Sequence, residues 1–191
     1  MQKKTTEELV SLKPSLEEFR KLPKTPITVV VDGIRSLDNV GLLFRIADGF
    51  HLRELVLCGI TGYPAGLPGD DRPAHIVERQ DRRIQKTAIR TIPFVPWTYR
   101  PGVAEIVAER QRAGDMIIAL EQTDASRHYQ NMGYHFPLTL VVGHEREGVT
   151  SALLRTVDAV VEIPMEGMGN SHNVAIATAI VLVHLSPLIP R

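Results

Sequence analysis

Five short apolar runs constrain the fold of this chain more than any other feature of its sequence. They contain few polar residues and occupy residues 27–31, 55–58, 116–120, 138–142 and 159–163. Strands without alternation of polar and apolar residues are typical of a parallel sheet that is covered on both faces. Segments with helical periodicity separate most of these runs. The pattern therefore predicts an α/β domain with a mostly parallel sheet flanked by helices.

The intervals between the runs divide into helices and loops. Apolar spacing or composition favours helices over residues 39–49, 74–90, 102–112, 150–156 and 171–185. The segment 59–73 is rich in glycine and proline, which predicts a mobile loop or a lid. Residues 94–97 predict a short edge strand, since Pro93 and Pro96 cannot donate to a central ladder.

The first residues of the chain differ in character from the rest. Residues 1–24 are charged and predict a helical N-terminal extension, in which Ser15 and Glu18 form a capping box. Proline residues at 23 and 26 end this helical segment. Residues 25–191 are then expected to form a single domain, whose size is ordinary for one domain.

Charge and cysteine content narrow the class of protein. Lys plus Arg equals Asp plus Glu at 22 each, so only a local basic face, not the net charge, would attract nucleic acid. The one cysteine, Cys58, lies in an apolar run and predicts a buried, inert thiol without an internal disulfide. No apolar stretch is long enough to span a bilayer, and the N-terminus lacks a signal-peptide pattern. We therefore expect a cytoplasmic protein with no membrane association.

A first polar segment, residues 38–45, follows a predicted strand and opens a helix. Asn39 is expected to cap that helix. Gly41 and Arg45 are four residues apart and share a helix face, and the missing Cβ of the glycine leaves space beside the guanidinium. A helix N-terminus with an arginine favours a phosphate ligand. A plain N-cap with a surface salt bridge is the alternative interpretation.

A second polar segment, residues 140–148, leaves a buried strand through Gly143 and turns at Gly148. Open α/β sheets bind ligands at the carboxyl ends of their strands, so Gly143 and Glu145 are candidate site residues. A solvated turn explains the charged residues equally well. His144 and Glu145 do not make a zinc motif, because no second histidine follows at helical spacing. The seven histidines are scattered, and we expect no metal.

A third polar segment, residues 163–173, connects the last predicted strand to the last predicted helix. Gly167 and Gly169 make a loop, and Ser171 or Asn170 is expected to cap the helix. A cap explains one polar residue, whereas the three at 171–173 beside a glycine loop indicate a ligand site. The third glycine of a dinucleotide fingerprint is absent, which argues against a nucleotide-dependent oxidoreductase.

A basic stretch lies between residues 72 and 90, with Trp97 and Tyr99 shortly downstream. Basic and aromatic side chains together favour contacts with RNA phosphates and stacking on bases. A solvated helix face is an equal alternative. The candidate RNA contacts are Arg72, Arg79, Arg82, Arg83, Lys86 and, from a separate segment, Arg127.

Taken in order, the three polar segments resemble the motifs of the SpoU/TrmH family of RNA ribose methyltransferases, within the SPOUT superfamily. The resemblance covers roughly residues 27–185. The matching residues are Asn39, Gly41 and Arg45 for Asn-x-Gly-x-x-x-Arg; Gly143, Glu145 and Gly148 for Gly-x-Glu-x-x-Gly; and Ile163, Pro164, Met165, Ser171, Asn173 and Val174 for Ile-Pro-Met followed by Ser-x-Asn-Val.

The resemblance implies methylation of a ribose 2′-hydroxyl in tRNA or rRNA with S-adenosyl-L-methionine as the cofactor. It also implies a C-terminal trefoil knot, an exception to the rule that chains are unknotted, and a homodimer without a metal whose site lies near the dimer interface. The cofactor would be bent within the knot and held mostly by backbone groups. The matching cofactor-binding residues are Leu120, Gly143, Ile163, Met165, Ser171 and His172.

The resemblance also makes Arg45 the residue that activates the hydroxyl. Because arginine is not deprotonated in proteins, we expect Arg45 to pair with the target phosphate and stabilise the developing alkoxide, while the proton passes to that phosphate or to water. Four further residues would position the arginine and the ribose. The expected catalytic set is Arg45, Asn39, Glu145, Ser171 and Asn173.

Three positions depart from the family pattern. Ile46 and Ala175 stand where hydroxyl residues are common, and His172 stands where leucine is common. These departures put the identity of the RNA in question more than the reaction. They keep a catalytically weakened RNA-binding module open as the main alternative, with the oxidoreductase as the other.

Overall fold

The computed structural model describes residues 3–144 and 147–190. Within them, seven strands form one sheet in which every pairing is parallel. The strands are β1 Thr25–Asp32, β2 Leu52–Cys58, β3 Trp97–Arg100, β4 Met116–Leu120, β5 Arg127–His128, β6 Leu138–Val142 and β7 Ala159–Glu162. Their order across the sheet is β3-β2-β1-β6-β4-β7-β5. The predicted fold class is confirmed, and the trefoil knot stays a prediction.

Helices cover both faces of this sheet. They are α3 Leu37–Gly49, α4 Ala74–Ala88, α5 Val103–Arg112, α6 Ser151–Leu154 and α7 Val174–Leu185, whereas α1 Thr6–Ser11 and α2 Leu16–Lys21 precede the sheet and have no buried residue. Successive strand residues face opposite sides, so Val29 and Val31 pack with α3, α4 and α7, whereas Val30 packs with α5 and α6. Two apolar cores result, which explains why the strands carry so few polar residues.

The N-terminal extension forms the short helices α1 and α2. The predicted capping box at Ser15 and Glu18 is confirmed, and Thr5 and Glu8 form a second one before α1. Phe19 contacts the rest of the fold through the ring of His51, at 4.6 Å between centroids. The division of the chain after residue 24 stays a prediction.

Two predicted helix caps are wrong. Helix α3 begins at Leu37 and is capped by Ser36, whose Oγ accepts the Asn39 amide at 3.3 Å. Helix α7 is capped by Asn173, rather than by Ser171 or Asn170, through bonds from the amides of Ala175 and Ile176. Serine and asparagine cap helices almost equally well, so their presence in a polar segment does not identify which of them starts the helix.

In the segment 59–73, residues 61–64 are buried, whereas residues 65–73 are exposed or half-buried. Tyr63 is 7% exposed and stacks on Tyr99 of β3, with ring centroids 4.3 Å apart. The Arg72 guanidinium lies 3.3 Å from the centroid of the Tyr63 ring and pairs with Asp70 at 2.6 Å. The predicted loop is confirmed and contacts β3 through this aromatic stacking, whereas its mobility and a role as a lid stay predictions.

The edge strands also differ from expectation. The predicted strand at residues 94–97 is shifted, because Ile92–Phe94 forms a 3-10 turn and β3 begins only at Trp97. Pro96 has no amide hydrogen to donate, so the strand starts after it. The two-residue β5 at the other edge was not predicted, since so short a strand has no periodicity to read.

Candidate functional site

A cavity of about 550 Å³ lies at the carboxyl edge of the sheet, where β4, β6 and β7 end and α7 begins. Its walls are the last residues of these three strands and the residues that directly follow them, together with Gly148, residues 170–174 and Ala177. The volume suits a small organic ligand. Its position, outside the carboxyl ends of parallel strands, is where open α/β sheets bind ligands.

Most of the predicted cofactor residues meet at this cavity. The ones that line it are Leu120, Gly143, Ile163, Ser171 and His172. Met165 does not line the cavity. Its terminal methyl lies beside Gly169, in the loop between β7 and α7. The structure thus brings together residues that are up to 52 positions apart in sequence, from Leu120 to His172, and their roles toward a ligand stay predictions.

The turn after β6 forms one wall of the cavity. Its ends are joined by bonds from the His144 amide to the Gly148 carbonyl, at 3.2 Å, and from the Gly148 amide to the His144 carbonyl, at 2.9 Å. A Cβ at Gly143 would overlap with the backbone of Gly148 and Val149. Glycine is therefore required at 143 by this close backbone approach. The candidate residue Glu145 lies outside the described residues.

Asn39 and Asn173, which come from the first and third motifs, contact each other. The Nδ2 of Asn173 donates to the Oδ1 of Asn39 at 2.9 Å, and Asn39 is only 8% exposed. The Oδ1 of Asn173 accepts from the amides of Ala175 and Ile176, at 2.9 and 3.3 Å. One side chain thus caps α7 and links its first turn to α3. This contact fixes the relative position of two motifs that are 134 residues apart.

Arg45 lies away from the cavity of its own chain. It is exposed on α3 and forms no hydrogen bond or ion pair with any residue that the structure describes. Six residues separate it from Asn39, which corresponds to ~9 Å along a helix. The predicted space for Arg45 beside Gly41 is also wrong: a Cβ on Gly41 would overlap with Thr87 and the Ile84 carbonyl, so this glycine allows α3 and α4 to pack closely.

Helix α4 displays most of the predicted RNA contacts. Arg79, Arg82, Arg83 and Lys86 are exposed along it, and Arg83 pairs with Asp38 at 3.0 Å. Arg127 is exposed in β5. Arg72 differs, because its five donors are bonded to Asp70, Gln80 and the carbonyls of Tyr63 and Pro64. These bonds argue against a role for Arg72 in binding phosphate.

Two titratable groups near the carboxyl edge are affected by burial. Burial raises the pKa of the Asp32 carboxyl at the end of β1, and the nearby His144 lowers it in part. Burial and the neighbouring Asp32 raise the pKa of the Cys58 thiol to about 12. Because the thiolate is the reactive form, Cys58 is inert, as its place in an apolar run predicted.

Of the three departures from the family pattern, only His172 lines the cavity. Ala175 is 1% exposed, and Ile46 faces a separate apolar groove between α3 and α7. A hydroxyl at 46 or 175 would therefore not point into the cavity wall that the structure shows. The substitutions at 46 and 175 leave the cavity's polar groups unchanged.

The sequence interpretation missed Glu121 and Gln122, which both line the cavity. A usable signal was present, since they directly follow the apolar run 116–120 at the carboxyl end of a predicted strand. Polar residues at that position of a parallel sheet are candidates for a site. They were overlooked because no motif of the resembled family includes them.

The arrangement of the fold and cavity agrees with the comparison to known proteins. Residues 73–183 match the model of the SpoU rRNA Methylase family. The match covers more than half of the chain, and the chain belongs to this family. No helix within the described residues is long and apolar enough to cross a membrane.

Individual relatives carry specific names. The chain is 27% identical, over 176 residues, to the 23S rRNA (guanosine-2'-O-)-methyltransferase RlmB of Ralstonia nicotianae, covering 92% of this chain and 64% of the relative. It is 26% identical, over 171 residues, to the tRNA (guanosine(18)-2'-O)-methyltransferase of Aquifex aeolicus, covering 87% of this chain and 72% of the relative. The chain thus spans less than two thirds of the first relative's length.

Solved structures establish the fold independently of the sequence motifs. An rRNA methyltransferase from Sinorhizobium meliloti with AdoMet bound superposes with a TM-score of 0.73 at 22% identity, covering 91% of this chain and 61% of that one. The TrmH/SpoU tRNA modifying enzyme of A. aeolicus also gives a TM-score of 0.73 at 22% identity, covering 89% of this chain and 78% of that one.

Proposed function

We propose that this protein methylates a ribose 2′-hydroxyl in tRNA or rRNA and uses S-adenosyl-L-methionine as the methyl donor, in the cytoplasm. The observation that carries the proposal is the convergence of the motif segments on one cavity. Gly143, Ile163 and Ser171 line it, and the bond between Asn173 and Asn39 joins the remaining motif to its rim. The names of the relatives support the same reaction.

The residues of the cavity fit this cofactor. A space of about 550 Å³ accommodates a ligand of this size. Leu120, Gly143, Ile163 and His172 would hold it, with the close backbone approach at Gly143 presenting main-chain groups to the ligand. When bound, the cofactor supplies a methyl group attached to a positively charged sulfur. The sulfur is a good leaving group because it departs as a neutral thioether.

The protein's part in the reaction is mainly to position the hydroxyl. Correct orientation of reactants can contribute ~7–11 kcal/mol to a barrier. The Asn39–Asn173 pair is rigid, since Asn173 is held by two helix amides and Asn39 is buried. We assign these two residues and Ser171 to placing the ribose, and Glu145 keeps this role as a proposal from the family motif.

We propose that the protein acts as a homodimer. Helix α7 is apolar on all sides, which is typical of a buried helix, yet Ile176 and Val183 are 54% and 62% exposed. They line an apolar groove of about 660 Å³ with Leu42, Ile46 and Ala179. A second copy is the occupant that suits the groove, since α7 then becomes buried as its composition requires.

The dimer also gives Arg45 a role. Arg45 precedes the groove residue Ile46 and is exposed, so a second copy seated on this groove would lie next to it. We propose that Arg45 acts across the dimer, where it pairs with the target phosphate and stabilises the alkoxide. Arg83 of α4 pairs with Asp38 of α3 at 3.0 Å, and the exposed basic residues of α4 would bind the RNA backbone.

The deciding experiment measures transfer of a labelled methyl group from S-adenosylmethionine to bulk RNA, followed by mapping of ribose methylation. Calorimetry with S-adenosylhomocysteine and with NAD accompanies it. We expect binding of S-adenosylhomocysteine, none of NAD, and 2′-O-methylated product. Cofactor binding without transfer to any RNA would instead favour the catalytically weakened RNA-binding module, and NAD binding would favour the oxidoreductase.

Arg45→Ala tests the proposed catalytic arginine, with Arg155→Ala as the matched control, because Arg155 is also exposed and does not line the cavity. Methyl transfer should fall by about 100-fold in Arg45→Ala, the size of effect that general acid–base or electrostatic groups have. Binding of S-adenosylhomocysteine should be unchanged. Near wild-type transfer in this variant would remove Arg45 from the mechanism.

A further inference from the structure

Glu121 and Gln122, which directly follow β4, form hydrogen bonds with two loops that border the cavity. The carboxylate of Glu121 accepts the Val149 amide at 2.8 Å on Oε2 and the Gln122 amide at 2.9 Å on Oε1. The Nε2 of Gln122 donates to the Asn170 carbonyl at 3.0 Å. One residue thus holds the turn after β6, and its neighbour holds the loop before α7.

The backbone of this pair is itself fixed. The Glu121 amide donates to the Val161 carbonyl at 3.0 Å, which continues the β4–β7 ladder by one residue. The Glu121 side chain therefore starts from a rigid position in the sheet. Since β4 lies between β6 and β7, its carboxyl end is next to the loops that follow both strands.

Gly148 shows how closely the Glu121 carboxylate approaches the turn. Gly148 has a φ of +64°, and a Cβ there would overlap with the carboxylate. The final glycine of the second motif is thus required by its own backbone conformation and also by Glu121. A hydrogen bond from an amide to an ionised carboxylate is stronger than one between neutral groups, so this contact is well suited to hold the turn.

We propose that Glu121 and Gln122 are positioning residues that set the separation of the two cofactor-binding loops. The proposal rests on the proposed function. Without the pair, the two loops sample wider arrangements, and only a fraction of molecules has the binding-competent one. The apparent Kd for cofactor then rises in proportion. At saturating cofactor the loops are ordered again, so kcat changes little.

The test uses Glu121→Ala, Glu121→Gln and Gln122→Ala in the full chain. Calorimetry with S-adenosylhomocysteine gives Kd, and methyl transfer to RNA gives the KM for S-adenosylmethionine and kcat. Glu105→Gln is the matched control, because Glu105 is exposed on α5 and does not line the cavity. Circular dichroism and thermal unfolding establish that each variant is folded.

We expect Kd and KM to rise about tenfold in Glu121→Ala and about threefold in Glu121→Gln, which keeps one acceptor oxygen. Gln122→Ala should behave like Glu121→Gln, the control like wild type, and kcat should stay within about threefold throughout. Folded variants with unchanged Kd would overturn the proposal, as would a fall in kcat at unchanged KM. If the wild-type chain binds no S-adenosylhomocysteine, the proposed function fails first, and the proposal falls with it.

A double-mutant cycle checks the contact without relying on a single variant. Gly148→Ala should weaken binding by both its backbone strain and its overlap with Glu121. In the Glu121→Ala background the overlap is gone. The factor by which Gly148→Ala raises Kd should therefore be about threefold smaller there than in the wild-type background. Fully multiplicative effects on Kd would mean that the two positions do not interact, and would contradict the assigned geometry.

Discussion

Polar residues at the amino ends of the strands (the amino edge) differ in their contacts from those at the carboxyl ends (the carboxyl edge). At the amino edge, Arg53 bonds to both oxygens of Asp115 and to Thr28, and Thr139 donates to the same carboxylate at 2.6 Å. At the carboxyl edge of β4, β6 and β7, polar residues instead hold loop backbone and border a cavity. Polar groups that satisfy each other stabilise the fold, and those left facing a cavity are available to a ligand.

Backbone conformation shows the same contrast. The residues with positive φ that follow strands at the carboxyl edge include Gly33, Gly59 and Gly148, and glycine adopts this conformation without strain. At the amino edge, Ile89 and His51 have φ values of 49° and 50°. Strain in a β-branched residue is usually associated with functional sites, but here it lies at the edge without the cavity. The site of this protein is built from unstrained glycine turns.

The largest effect on stability should come from the amino edge. The side chain of Asp115 is 1% exposed, and Asp115→Ala removes the main partner of the Arg53 guanidinium. Removal of one partner of a buried pair costs about 3–5 kcal/mol, and urea unfolding should show a loss of that order. Asp124→Ala, at an exposed position, should have no measurable effect. The folded fraction should still bind S-adenosylhomocysteine normally, and weakened binding would show that the two edges are coupled.

The next effect concerns the Asn39–Asn173 link at the other edge. Asn173→Ala removes the cap of α7, worth about 0.5–2 kcal/mol, together with the bond to Asn39. Asn173→Ser keeps a capping hydroxyl that is too short to reach Asn39. We expect both variants to lose methyl transfer by about 100-fold, a usual result of displaced positioning groups. Asn173→Ala should lose more stability than Asn173→Ser, which loses only the bond to Asn39, and an active Asn173→Ser would show that capping is the residue's whole role.

The sequence predicted the sheet more completely than it predicted the site. The runs of Val, Ile and Leu sufficed for the parallel sheet, because burial on both faces leaves a direct mark on composition. The motif residues Gly143, Ile163 and Ser171 line one cavity, because each follows a strand end or precedes a helix, and their roles toward a ligand stay predictions. Arg45 was grouped with them, but in one chain it lies on the exposed side of α3. Sequence order alone does not show that this side of α3 lies away from the cavity.

Contacts between distant side chains were the part beyond sequence interpretation. Glycine at 41 was read as space for an arginine, whereas it is the contact between α3 and α4. Arg72 was read with its basic neighbours as an RNA contact, although it is bonded to Asp70 and stacked on Tyr63. In both cases a local pattern was correct, and the partner that decides its meaning lies elsewhere in the chain.

A smaller effect should follow from relief of the strain at the amino edge. Ile89 ends α4 in the left-handed conformation, which costs an L-residue ~1–2 kcal/mol. Ile89→Gly should therefore raise the free energy of unfolding by about 1 kcal/mol, as the strain is lost. Gln85→Gly in the same helix should lower it by about 1 kcal/mol. Destabilisation by both substitutions would mean that Ile89 contributes packing that outweighs its strain.

The smallest effect concerns the segment 59–73, which follows β2 at the carboxyl edge of the sheet and is called here the closed segment. Bonds from Arg72 hold the pKa of Asp70 at about 2, below the ordinary value of about 4. The stability contributed by this pair is thus fully present above about pH 4 and is lost as the pH falls through about 2. Tyr63, which Asp70 and Arg72 hold, lies 6.4 Å from the ring of Trp97, the chain's single tryptophan. Tryptophan fluorescence should therefore change between pH 4 and pH 2.

Two neighbouring substitutions make this acid transition specific. Asp70→Asn removes the titrating carboxylate and should abolish the fluorescence change, whereas Asp71→Asn, at an exposed position, should preserve it. Binding of S-adenosylhomocysteine at neutral pH should be the same in both variants, since neither residue lines the cavity. If Asp70→Asn weakened that binding, the closed segment over β1–β3 and the open cavity at β4, β6 and β7 would have to act as one unit.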